Sequence, residues 1–145
     1  MKRISVAFTG PSNSGKTTLI VRLSTILKEK GYKVSIIKHD PKDKAVFDRE
    51  GKDSFKFSQT GADVAVVSPN RTTYFKKDTS TVDEMIDLFQ DFDYLLIEGL
   101  KTLELPRISI FRDRLDESYF NVTNAIACDE TIDNNEIPDG IDILD

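Results

Sequence analysis

The sequence is poor in the residues that cross-link or anchor small proteins. It has one cysteine, Cys128, one histidine, His39, and no tryptophan among its 145 residues. A single cysteine cannot form an intrachain disulfide, and these two side chains alone cannot complete a structural zinc site. No apolar run approaches the roughly 18–20 residues that span a bilayer, and Ile4–Phe8 is too short for the core of a signal peptide. We therefore expect no disulfide, no structural zinc and no membrane segment, and a cytoplasmic location.

The chain also lacks an excess of basic residues. Lys and Arg number 20 against 25 Asp and Glu, which gives a formal charge of −5. Non-specific duplex binding needs a basic surface that neutralises phosphates, so we expect no nucleic-acid partner. Hydrophobic residues make up 39% of the chain, enough for a folded core, and the length predicts a single domain over residues 1–145.

Strand and helix patterns alternate along the chain. Apolar and β-branched runs predict strands at Ile4–Phe8, Lys33–Lys38, Asp63–Ser68, Thr72–Phe75, Tyr94–Ile97, Arg107–Phe111 and Ala125–Cys128. Apolar residues at three- and four-residue steps predict helices from Lys16 to a stop at Gly31, at Ser54–Gln59 and over 82–89. This alternation predicts an α/β fold with a mostly parallel central sheet and helices on both faces. The polar stretch from His39 to Asp53 predicts a long loop, and the residues from Thr131 onward yield no assignment.

The first strand runs directly into a Walker A phosphate-binding motif. Residues 10–17 read Gly-Pro-Ser-Asn-Ser-Gly-Lys-Thr and match G-x-x-x-x-G-K-[ST] at every required position. Backbone N–H groups at a helix N-terminus attract phosphate, a lysine adds positive charge, and a threonine hydroxyl is a ligand for Mg²⁺. The motif therefore predicts a P-loop NTPase fold whose nucleotide-binding residues are Gly10, Asn13, Ser14, Gly15, Lys16, Thr17 and Thr18.

An acidic residue closes a second buried strand. Glu98 follows four apolar residues and precedes Gly99, at the carboxyl end of a predicted central strand. Open α/β sheets bind their ligands at that edge. There a carboxylate can hold Mg²⁺ or orient an attacking water, so Glu98 and Lys16 are the candidate catalytic residues.

Charged residues also follow two further strands. Lys38 and His39 end the second strand and Asp53 closes the loop after it, and we expect all three at the nucleotide site. Arg112 and Arg114 follow the sixth strand and could reach phosphate, although an exposed polar turn would look the same.

Several of these stretches together resemble the molybdopterin-guanine dinucleotide biosynthesis protein B (MobB) family, a P-loop GTP-binding family of the molybdenum cofactor pathway. The resemblance extends from the first strand to about Asp129. It is carried by Gly10–Thr18, by Lys-His-Asp at 38–40, by Gly-Lys-Asp-Ser at 51–54, by Thr-Gly-Ala at 60–62, and by Glu-Gly-Leu-Lys at 98–101 with Leu-Pro-Arg-Ile at 105–108.

This resemblance implies a GTP-binding homodimer with weak Mg²⁺-dependent hydrolysis that assists a guanylyltransferase acting on molybdopterin. By position, Gly15, Lys16 and Thr17 would hold phosphate and Mg²⁺, and Glu98 would be the acidic group of the hydrolytic site. Asp53 would face the same pocket, so the implied metal ligands are Thr17, Glu98 and Asp53. The guanine preference follows from the resemblance alone, because the chain has no Asn/Thr-Lys-x-Asp stretch.

Two other functions fit the same motif. A small-molecule kinase would use an identical phosphate loop, although such kinases usually close an arginine-rich lid, and only three arginines follow Glu98. A nucleotide-controlled switch or scaffold would order the 39–53 loop around the γ-phosphate.

Overall fold

The computed structural model describes residues 3–144 and confirms the alternating order of strands and helices. The strands are β1 Ile4–Thr9, β2 Val34–Lys38, β3 Val64–Ser68, β4 Arg71–Phe75, β5 Tyr94–Glu98, β6 Arg107–Phe111, β7 Ala125–Cys128 and β8 Asp142–Leu144. The α-helices are α1 Lys16–Glu29, α2 Asp53–Gln59 and α3 Val82–Phe89. Two short 3-10 helices, Glu117–Val122 and Asn134–Glu136, complete the list.

The chain forms two compact units. The first comprises residues 3–39 with residues 89–144, and the second comprises residues 40–88. One domain over residues 1–145 therefore stays a prediction. None of the helices described between residues 3 and 144 is both long and apolar enough to cross a membrane.

The first unit contains a six-stranded sheet in the order β2-β5-β1-β6-β7-β8, and every neighbouring pair is parallel. The mostly parallel α/β sheet expected from the sequence is thus confirmed. Because all six strands point the same way, their carboxyl ends meet at one edge of the sheet. The edge strand β8 lies in the stretch after Thr131 for which the sequence yields no assignment.

Two apolar clusters hold this sheet. Phe8, Ile20, Leu96 and Ile110 pack where α1 meets the sheet, and the partly buried Leu19 and Leu23 extend that contact. A second cluster joins Phe111 and Ile126 to Ile132 and Ile137. The apolar runs that predict strands therefore form the core.

A chain of buried hydroxyl groups links three elements beside the core. Thr9 Oγ1 and Ser109 Oγ lie 2.9 Å apart, and Ser109 Oγ lies 2.6 Å from Thr123 Oγ1. Thr123 in turn donates to the Tyr119 carbonyl at 2.6 Å. Each of these three hydroxyl groups has a partner, so the polar residue at the end of β1 does not destabilise the core.

The second unit contains an antiparallel hairpin of β3 and β4, with α2 packed against β3. Val64 pairs with Phe75 and Ser68 with Arg71, so Pro69 and Asn70 form a two-residue turn. At the start of α3, Thr81 Oγ1 accepts a hydrogen bond from Glu84 N at 3.1 Å, which caps the helix. These strands form their own small sheet, which strand–helix alternation alone does not reveal.

Replacing Ile126 by alanine should lower the free energy of unfolding by about 2–5 kcal/mol, because this side chain is fully buried and leaves a cavity. Urea denaturation would measure the loss. The matched control is Ile36→Ala, on the edge strand β2, where the side chain is 43% exposed and we expect about 1 kcal/mol or less. Equal losses at both positions would contradict the core described above.

Candidate functional site

The phosphate loop joins β1 to α1 through backbone conformations that few side chains allow. Gly10 has φ 152° and Gly15 φ 98°, and between them Asn13 has φ 62°. A Cβ added at Gly10 would lie 2.3 Å from the carbonyl oxygen of Ile110, so only glycine fits beneath β6. Gly15 also begins α1 without any side-chain cap, which leaves the first-turn amides of the helix directed outward.

Lys16 folds back over this loop. Its Nζ donates to the carbonyl of Gly10 at 2.5 Å, so the ammonium group lies across the loop that a phosphate would enter. Burial lowers the pKa of Lys16; Glu98 opposes this shift, and the positive charges of Lys38 and Lys101 add to it. Lys16 therefore carries a partly desolvated charge among other charges, an arrangement common at ligand sites.

A polar cavity of about 430 Å³ lies over the loop. It is lined by Ser12, Asn13, Ser14, Gly15, Lys16, Thr17, Thr18, Glu98 and Arg112. Ser14 Oγ is buried in its wall, and within residues 3–144 this atom has no hydrogen-bond partner. A buried hydroxyl group without a partner destabilises a protein, and an oxygen-rich ligand in this cavity could satisfy it.

Glu98 reaches the cavity from the end of β5, between β1 and β2. In the parallel register it lies beside Phe8 on one side and Lys38 on the other, and its carbonyl accepts from His39 N at 3.0 Å. Gly99, with φ 94°, lets His39 pack closely, since a Cβ there would lie 3.2 Å from the His39 Cβ. Strand pairing therefore brings Lys38 and His39 next to Glu98.

Arg107 braces the turn that follows Glu98. The residue is 1% exposed, and its guanidinium donates to the carbonyls of Gly99 at 3.0 Å, Leu100 at 2.7 Å and Leu103 at 3.1 Å. Burial lowers the pKa of Arg107, and the carbonyl dipoles take the place of a carboxylate partner. Arg107 is thus committed to backbone and is not available as a mobile phosphate ligand.

The structure places Arg112 at the phosphate loop, whereas the sequence alone does not distinguish it from a residue of an exposed polar turn. A Cβ at Gly15 would lie 3.3 Å from Arg112 Nη2, while Arg112 Nε pairs with Asp129 Oδ2 at 3.3 Å. The Thr131 hydroxyl lowers the pKa of the Asp129 carboxyl, as does its backbone N–H. The strand order would have predicted this position, because β6 lies next to β1 in the sheet and the end of β6 must therefore lie beside the loop.

A second, more apolar cavity of about 480 Å³ adjoins the first. Ser14, Gly15, Thr18 and Arg112 line both. The walls beyond them come from α1 and from the ends of β6 and β7, and comprise Leu19, Arg22, Leu23, Ile26, Ile110, Phe111, Ala127, Cys128 and Asp129. A charged cavity over the loop therefore lies next to an apolar one along α1.

The structure assembles most of the predicted site residues within the first unit. Asn13 to Thr18 and Glu98 line one cavity, Gly10 accepts from Lys16, and Lys38 and His39 adjoin Glu98. Asp53 begins α2 in the second unit, so its place at the same pocket stays a prediction.

Two oxygen-bearing side chains of this cavity are of the kind that could hold a magnesium ion. Thr17 and Glu98 line the same cavity, whereas within the described residues 3–144 no three His, Cys, Asp or Glu side chains form a metal cluster. Mg²⁺ usually keeps several waters and shares substrate phosphates, so the two side chains that line this cavity would be enough to hold it.

A parallel sheet in this strand order, with a glycine loop and lysine between β1 and α1, defines a P-loop NTPase fold. Comparison with known proteins narrows this class. The family model for molybdopterin guanine dinucleotide synthesis protein B matches residues 5–129. The chain belongs to this family, MobB, whose members take part in molybdopterin guanine dinucleotide biosynthesis.

Individual relatives agree with the family model. A putative molybdopterin-guanine dinucleotide biosynthesis adapter protein of Methanocaldococcus jannaschii is 34% identical over 111 residues, 72% of this chain and 46% of that protein. The adapter protein of Escherichia coli is 32% identical over 115 residues, 74% of this chain and 65% of that protein. The crystal structure of Bacillus subtilis MobB superposes with a TM-score of 0.77 at 26% identity, and covers 97% of this chain and 88% of that one. In sequence, the chain thus spans about half to two thirds of the first two relatives.

The environment of Lys16 predicts an unusually reactive amine. Because burial and two neighbouring lysines lower its pKa, Lys16 should lose its proton, and react with an acylating reagent, at lower pH than free N-acetyl-lysine amide. Lys101→Gln should move the midpoint of labelling to higher pH, and Glu98→Gln should move it lower. Labelling followed by peptide mass spectrometry measures each midpoint. A midpoint equal to that of the free amide would contradict the described environment.

Proposed function

We propose that the protein binds GTP with Mg²⁺ at the phosphate loop and hydrolyses it slowly, as an accessory to a guanylyltransferase that joins GMP to molybdopterin. The observation that carries this proposal is the cavity in which the loop, Lys16 and Glu98 meet. Names of the relatives support the accessory role, since they are called adapter proteins of this biosynthesis. We further propose that it acts as a cytoplasmic homodimer.

Each group of the cavity has a chemical task in this proposal. First-turn amides of α1 and the Lys16 ammonium bind the β- and γ-phosphates, and Thr17 with Glu98 provides oxygen for Mg²⁺. Bound Mg²⁺ would neutralise charge that develops on the phosphates. Glu98 orients a water whose oxygen bonds to the γ-phosphorus as the bond to the β–γ bridging oxygen breaks, which releases GDP and inorganic phosphate. Asp53 and His39 are proposed as further contacts of this site.

The adjoining apolar cavity suits the nucleoside half of the ligand. It begins at Gly15 and Thr18, beside the proposed phosphate site, and runs along α1 to Asp129 at the end of β7. An apolar slot of this kind can hold the planar ring of a purine. The proposal that the base is guanine rests on membership of the MobB family and not on a contact in this cavity.

The arginines argue against a small-molecule kinase. Arg107 is buried against backbone carbonyls, and Arg112 is paired with Asp129 beside the loop, so neither belongs to a separate lid. GDP release without an added acceptor is expected, whereas product formation that requires an alcohol or phosphate acceptor would favour the kinase.

Lys16→Ala should weaken binding of GTP by about a hundredfold or more, because a charge-assisted contact to two phosphates is lost. Calorimetric titration with GTP, GDP and ATP, with and without Mg²⁺, measures this loss and the base preference together. Lys28→Ala, an exposed lysine in the last turn of the same helix, is the matched control and should bind normally. Equal affinity for ATP and GTP would contradict the proposed base, and unchanged binding by Lys16→Ala would contradict the site.

Glu98→Gln should lower single-turnover GTP hydrolysis at saturating nucleotide by about 10²-fold or more, because the amide cannot take part in water activation. Phosphate release measured with enzyme in excess gives the rate. Glu104→Gln, an exposed carboxylate six residues later, serves as control. Hydrolysis that survives Glu98→Gln at the wild-type rate would remove Glu98 from the mechanism.

A further inference from the structure

Arg112 lies where the two cavities meet. It is the first residue after β6, and its Nη2 lies 3.3 Å from the position of a Cβ on Gly15. Among residues 3–144, four line both cavities, and Arg112 is the charged one of the four. A ligand that fills both cavities must pass this guanidinium.

The Arg112 side chain is held in place by residues that follow β6 and β7. Its Nε pairs with Asp129 Oδ2, and the other oxygen of Asp129 accepts from the hydroxyl and the N–H of Thr131. Thr131 Oγ1 also accepts from Asp113 N at 2.7 Å, where Asp113 turns with φ 69°. This closed set of hydrogen bonds, which we call the 112–131 clamp (Arg112, Asp113, Asp129 and Thr131), ties the end of β6 to the end of β7.

A contribution to folding stability does not by itself account for the Arg112–Asp129 ion pair. The Arg112 and Asp129 side chains are 52% and 33% exposed, and an exposed pair of this kind contributes about 0–1 kcal/mol. With Nε engaged by Asp129, the guanidinium is oriented with Nη2 toward the loop. Arginine recognises phosphate through just such fixed, paired donors.

We propose that Arg112 binds the phosphate chain of the nucleotide on its nucleoside side, at the α- and β-phosphates, and that the 112–131 clamp positions it there. This inference rests on the proposed function, and adds a phosphate ligand from a strand end outside the Walker A motif. Because Arg112 stands at the border of the apolar cavity, its contact is with phosphates that GDP and GTP share. Arg112 therefore contributes to the affinity for GDP and for GTP alike, whereas Lys16 and Glu98 face the γ-phosphate, which only GTP has.

Titration of Arg112→Gln tests the proposal. We expect affinity for GDP and for GTP to fall by the same factor, about tenfold or more, while any affinity for guanosine is unchanged. Arg114→Gln, two residues along in the same turn, is the matched control; Arg114 lines neither cavity, and its loss should leave both affinities unchanged. Thermal denaturation without ligand should be similar for the wild type and both variants.

The outcomes separate this inference from the proposed function. If the wild type binds no nucleoside polyphosphate, the proposed function fails. If it binds and Arg112→Gln binds equally well, only this inference fails. A loss confined to GTP would place Arg112 at the γ-phosphate and would also overturn it.

The clamp has its own test. Asp129→Asn should weaken GDP binding, and in the Arg112→Gln background it should add little, because Asp129 then has no arginine to orient. Independent, multiplicative losses in the two variants would show that Asp129 acts directly on the ligand and would overturn its positioning role.

Discussion

The close approach of Gly10 to β6 is the constraint on which the site depends. With the Ile110 carbonyl oxygen 2.3 Å from where a Cβ would lie, the chain can pass at this point only as glycine. The turn that follows directs the unpaired amides of α1 into the cavity, and the Gly10 carbonyl holds the Lys16 ammonium over it. Backbone N–H groups and the Lys16 ammonium thus lie at one cavity, and both are donors of the kind that bind phosphate.

The parallel sheet brings further polar groups to the same edge as that loop. Five neighbouring strands end along one edge, and each contributes a polar group there: Lys38 from β2, Glu98 from β5, the loop from β1, Arg112 after β6 and Asp129 after β7. These residues are far apart in the sequence. They meet because parallel strands place equivalent ends side by side, which is why open α/β sheets carry their ligands there.

Three arginines near the end of the chain show how environment decides the role of one residue type. Arg107 is buried and donates through Nη1 and Nη2 to backbone carbonyls, so it shapes the turn after Glu98. Arg112 is half exposed and oriented by Asp129, so its outer nitrogen remains available to a ligand. Arg114 lies in the same turn as Arg112 and outside both cavities. Their spacing in the sequence distinguishes none of these roles.

Local signals by themselves determined the elements and the phosphate loop. Tyr94–Ile97 was predicted as a strand and is one through Glu98, and the Walker A glycines predict a turn because only glycine tolerates that backbone. The tertiary structure alone decided that β3 and β4 form a separate hairpin, that β8 joins the sheet, and that Arg112 rather than Arg107 faces the loop. The physical reason is that strand order and burial depend on contacts between residues distant in the chain, whereas propensity and turn chemistry act within a few residues.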